Sequence, residues 1–110
     1  MQITTVACDG YSMNFACPSG HQVVVVYANF GRLDTTTCGI NSPEGQYFQL
    51  TQIQVANTNC VFNALSLFQN FCGHDTCTFT PSYTLFGTDP CYGIYKYLKV
   101  IYKCHFQIGS

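Results

Sequence analysis

Eight cysteines, at positions 8, 17, 38, 60, 72, 77, 91 and 104, run the whole length of a 110-residue chain. An even number at this density reads as a disulfide framework formed in an oxidising compartment. The chain is therefore expected to be secreted or extracellular. The rival reading is zinc, which announces itself through short C-x2–4-C pairs. Only CGHDTC (72–77), with His74 inside it, approaches that spacing, and no second short pair completes four ligands. With the cysteines paired, no thiol remains to act as a nucleophile.

The length suits one domain, 1–110. At 47% hydrophobic and 8% charged residues, disorder is not expected. A net charge of −1 offers no basic field for a nucleic-acid backbone, so that partner class is set aside. The longest aliphatic run, 23–28, is far too short to span a bilayer. No signal peptide is visible, and Met1 followed directly by strand-like residues reads as a start placed on a mature segment.

Periodicity and punctuation give a mostly β chain with one or two helices. QITTVAC (2–8) reads as a strand, and YSMNFAC (11–17) as its partner after a turn at Asp9-Gly10. HQVVVVYANF (21–30) is apolar on both faces, as a central strand is. Gly31 then marks a bulge or a close backbone approach. GINSPEG (39–45) reads as loop and YFQLTQIQV (47–55) as a further strand, a candidate dimer edge. In 60–72, apolar residues at 61, 62, 65, 68, 71 and 72 predict a helix capped by Thr58 or Asn59 and stopped by Gly73. CTFT (77–80) reads as a short strand, 81–87 as a turn or short helix, and about 94–106 as the last strand.

Catalysis finds no foothold. His21, His74 and His105 lie in no catalytic spacing, and Glu44 is the single glutamate. A carboxylate pair would have to come from Asp9, Asp34, Asp75 and Asp89, none of which stand out as an acid–base couple. The four basic residues are Arg32, Lys96, Lys99 and Lys103. Lys99 and Lys103 fall on a solvated face. Lys96 instead falls in register with Ile94, Leu98, Val100 and Tyr102, the face expected to be buried. An ammonium there is costly unless paired or at a rim. Two readings stand level: a structural lysine, paired with Asp89 to hold the turn or snorkelling off the strand's start, and a donor–acceptor pair at a pocket edge. The second suits a neutral polyhydroxylated ligand, whose hydroxyls both donate and accept.

Four ordered blocks go further. ACDG (7–10), ANFGR (28–32), CGHDTC (72–77) and FGTDPCYGIYKYLKVIYKC (86–104) resemble the signature of the SUEL-type, rhamnose- or galactose-binding lectin domain, also found at the N-terminus of latrophilin-type receptors. The family spells them roughly ACEG, ANYGR, CxG…C and FGDPCxGTYKYLxVxYxC. The likeness covers the whole chain and all eight cysteines in order. It implies an α+β fold: a small antiparallel β-sandwich with one or two helices, long loops and four disulfides. It also implies the pairing Cys8–Cys38, Cys17–Cys104, Cys60–Cys91 and Cys72–Cys77.

Carried over by motif, the resemblance implies a carbohydrate site of Asp9, Phe30, Asp89, Gly93 and Lys96. Asp9 and Asp89 would accept from ring hydroxyls and Lys96 would donate. Gly93 would allow close backbone approach, and Phe30 would pack against an apolar sugar face. A Lys96→Ala change is expected to abolish binding with little loss of fold. The ligands implied are L-rhamnose- or D-galactose-type glycans, on a cell-surface glycoprotein or glycolipid, without cofactor or calcium. The chain departs from the family spelling at Asp9 and Phe30, inserts Thr88, and carries a longer segment between Cys38 and Cys60. These departures, with Tyr11, Tyr47, Tyr83 and Tyr92 in expected loops, also suit an extracellular adhesion module of the same fold.

Overall fold

The computed structural model describes residues 2–56, 58–71 (side chains of 69–71 excepted), 76–82, 87 and 91–106. Two antiparallel sheets are built from β1 (Gln2–Cys8), β2 (Met13–Ala16), β3 (His21–Gly31), β4 (Thr76–Phe79) and β5 (Tyr97–Phe106). The first sheet has the order β1-β5-β3 and the second pairs β2 with β4. The central strand is thus β5, not the apolar β3. Residues 97–103 of β5 are paired on both sides, to β1 and to β3. Its alternation explains the position: Leu98, Val100 and Tyr102 are buried, while Lys103 is exposed. Among the described residues, β3 has β5 on one side, and isolated bridges from Asn29 to Asn63 and, just past its end, from Arg32 to Cys60 on the other.

The turn after β1 forms, with the Tyr11 N–H donating to the Cys8 carbonyl at 3.0 Å. It does not lead into a hairpin. β2 leaves for the second sheet, because β5 offers β1 a seven-residue register that the four residues of β2 cannot match. Neighbourhood in sequence suggested the wrong partner. Both sheets nonetheless face one core, in which Phe15, Phe30, Phe68, Phe79, Leu98 and Val100 are almost entirely buried. The Phe68 and Phe79 rings lie 4.6 Å apart at their centroids.

Three short helices occur among the described residues: α1 (Pro43–Phe48), α2 (Gln52–Val55) and α3 (Leu65–Phe71). The stretch read as loop and then strand is therefore largely helical, and the strand edge proposed for dimerisation does not form there. Its signal was the S-P-E run: Ser42 caps α1 by accepting from the Gly45 N–H at 2.9 Å, and Pro43 fills the first turn. The helix α3 starts later than its apolar spacing suggested. Residues 60–64 are drawn onto the end of β3 instead, with Phe30 N–H to the Phe62 carbonyl and Ala64 N–H to the Ala28 carbonyl. Gly31 is the close approach: a Cβ there would run into the Cys60 carbonyl. The bulge in β3 lies earlier, between Val25 and Tyr27.

Three of the implied disulfides are present. Cys8–Cys38, Cys17–Cys104 and Cys60–Cys91 join Cα atoms 5.8, 5.5 and 6.0 Å apart. Cys77 is buried; its implied partner Cys72 lies outside the described residues. The architecture is α+β, with antiparallel sheets and long connections tied by disulfides.

Candidate functional site

The turn after β1 and the approach to β5 meet at one corner. The Asp9 N–H donates to the Lys96 carbonyl at 3.0 Å. The strand β5 begins at Tyr97, so Lys96 stands one residue before it while keeping the register of the buried face. Ahead of it, residues 91–94 form a tight turn, with the Ile94 N–H on the Cys91 carbonyl at 3.1 Å. Gly93 has φ +84°, a left-handed conformation that penalises any residue with a Cβ.

Lys96 is 4% exposed. Its Nζ curls back to donate to the carbonyls of Cys91 at 2.9 Å and Ile94 at 2.6 Å. Burial of the ammonium is thus compensated by carbonyls of the turn it follows. Gly93 is exposed, and among the described residues beyond its chain neighbours no heavy atom lies within 4 Å of where its Cβ would sit. Asp9, Gly93 and Lys96 therefore share one corner, with open space at its tip. The fourth position, Asp89, lies outside the described residues, as does any Lys96–Asp89 pair.

Phe30 is a correction. Its exposure is 0%, inside the core shared by both sheets. It sits at the end of β3 opposite Leu98 of the central strand, on the inward face. Its ring has no face to offer a ligand.

Two residues outside the expected set build the corner. Arg32 is fully buried and fans out to three carbonyls, each at 2.8 Å: Nε to Tyr95, and the two terminal nitrogens to Asp34 and Cys38. Its guanidinium also lies 5.4 Å from the Tyr97 ring centroid. One side chain thereby joins β3, the loop bearing Cys38 and the residue before Lys96. Burial lowers its pKa, against the pull of Tyr97 and Asp34. Tyr95 is the second. Its hydroxyl donates to the Asp9 carbonyl at 2.9 Å, and its N–H donates to the Gln54 carbonyl of α2. Burial, reinforced by the charge of Asp9, pushes the phenol well above its usual range, so it stays a donor. Arg32 was visible in sequence as one of four basic residues and as the end of the ANFGR block, with no role attached to it; nothing in the alternation of β5 marked Tyr95.

The profile described as the D-galactoside/L-rhamnose binding SUEL lectin domain matches residues 15–104. The chain belongs to the SUEL lectin family. The match takes in Phe30, Gly93 and Lys96 and begins after Asp9. Similar proteins include a rhamnose-binding lectin of Silurus asotus, 35% identical over 90% of this chain and 30% of that protein. The L-rhamnose-binding lectin SML of Scomberomorus niphonius is 33% identical over 94% of this chain and 47% of its own length. Latrophilin-like protein 1 of Caenorhabditis elegans is 32% identical over 93% of this chain and 9% of its own length. This SUEL domain thus spans less than half the length of each of these relatives.

Proposed function

We propose that this SUEL domain is a carbohydrate-binding module, without catalysis, that takes the terminal residue of a galactose- or rhamnose-type glycan at the Asp9–Gly93–Lys96 corner. The contact between the Asp9 N–H and the Lys96 carbonyl carries the reading, since it joins two motif positions beside the open Gly93 turn. In this reading Asp9 and Asp89 accept from ring hydroxyls and Lys96 donates. Lys96 also holds the turn, so its role is both structural and recognitive. Gly93 leaves room for the ring. Binding needs neither metal nor cofactor. The disulfides fit work outside the cell, on glycoproteins or glycolipids. A single site of this kind is weak, so useful avidity comes from further copies.

Titration with L-rhamnose and D-galactose tests it, with D-glucose as the control. Heat and amide shifts at Asp9 and Gly93 are expected at millimolar sugar; silence in both measurements would sink the reading. A second reading is protein adhesion through the same fold. It is favoured by the exposure of Ile53 and Tyr92, at 78% and 94%, outside any core. Cell-surface binding that free sugar does not displace would support that alternative.

A further inference from the structure

Three of the exposed aromatic residues, Tyr11, Tyr47 and Phe48, gather beside the Asp9 turn. Phe48, at the end of α1, is 47% exposed and touches three other rings among the described residues. Tyr11 stands edge-on to it at 6.1 Å, Tyr47 edge-on at 5.1 Å, and Tyr95 tilted at 5.6 Å. Tyr47 is 76% exposed and Tyr11 36%. The group is fastened to the corner twice. Tyr95 donates to the Asp9 carbonyl, and Tyr11 closes the turn that carries Asp9. Its other end rests on α1, which is capped by Ser42 and stopped by Gln49 in a left-handed conformation. The rings are therefore held in place before any ligand arrives.

We propose that Tyr11, Tyr47 and Phe48 form a second subsite, which receives the next ring of a glycan whose terminal residue occupies the Asp9–Gly93–Lys96 corner. This rests on the sugar-binding reading above and deepens it: the preferred ligand is a neutral oligosaccharide of two or more rings. A pyranose has a face of C–H groups, and laying it on an aromatic ring removes apolar surface from water on both sides. Preordered rings lose little freedom on binding. Phe30, buried in the core, cannot supply such a face, whereas this group can and is continuous with the corner. The surface is aromatic and hydroxylated, with the carboxylates of Asp9 and of Glu44 in α1 as neighbours, which disfavours an anionic ligand and suits a neutral one.

The test compares a digalactoside with methyl galactoside on the wild type, Tyr47→Ala and Phe48→Ala. The wild type is expected to prefer the two-ring ligand by about 3- to 10-fold, the range of a good aromatic contact. Both variants should bring that ratio close to one. Tyr47→Ala removes a largely exposed side chain, so it keeps the test valid if Phe48→Ala unfolds. A wild-type ratio of one, or a ratio unchanged in both variants, overturns the subsite while leaving the single-sugar site standing. No response to either sugar overturns the sugar-binding reading and the subsite with it. Capture of a protein ligand through these rings, undisturbed by digalactoside, also counts against the subsite.

Discussion

The Asp9 N–H and the Lys96 carbonyl are one hydrogen bond apart, 3.0 Å, although they come from opposite ends of the chain. That bond sets the β1 turn against the segment entering β5. The Lys96 side chain then turns the other way, onto the carbonyls of Cys91 and Ile94. Backbone and side chain of one residue thus fix both halves of the candidate site.

Lys96→Ala is consequently expected to affect more than recognition. Two charge-assisted bonds to the 91–94 turn disappear, each of a kind worth about 1.5–3 kcal/mol. Urea unfolding should show a loss in that range or above it, in place of the little loss expected from the motif alone. Sugar binding should vanish as well. A variant of wild-type stability would contradict the clamp.

Gly93 and Gly31 should respond to alanine for different reasons. Gly93→Ala meets no neighbour among the described residues but must hold φ +84°, so a stability loss of about 1–2 kcal/mol is expected. Its effect on sugar titration should be greater than on stability, since the new methyl enters the open tip. Gly31→Ala drives a methyl into the Cys60 main chain, which cannot swing away like a flexible side chain. Its thermal unfolding should show a loss at or beyond the upper end of the ~1–3 kcal/mol typical of overpacking.

Arg32→Lys tests whether geometry or charge matters. A lysine keeps the charge but cannot reach three carbonyls arranged around a planar fork. At least one buried carbonyl loses its donor, at a cost of about 1–3 kcal/mol. Urea denaturation should register that loss. Equal stability of the variant would show that charge alone suffices.

Asp34 supplies an acid-sensitive element beside this clamp. Burial would raise its pKa, but bonds from the Thr37 hydroxyl and N–H, with the Arg32 charge, outweigh burial and hold it below the usual carboxylate value. A depressed folded-state pKa gives stability that is present above the unfolded value of about 4 and lost as pH falls through the folded one. The stability gap between wild type and Asp34→Asn should therefore narrow on acidification below about pH 4. Unfolding curves across that range check it, and a gap independent of pH would refute it.

The sequence by itself determined the oxidising chemistry, the mainly β character, the buried register of Lys96, Leu98, Val100 and Tyr102, and, through its four blocks, the family and three observed disulfide pairs. Such signals are local or are carried by spelling. Only the tertiary structure decided which strand lies in the centre, that 43–48 and 52–55 are helical, and that Phe30 is core. Strand partners and burial depend on what the rest of the chain places alongside, and a period of two cannot name the neighbour. The same holds for Arg32 and Tyr95. Their roles come from carbonyls far away in sequence, made acceptors by the fold and silent in any stretch of residues read alone.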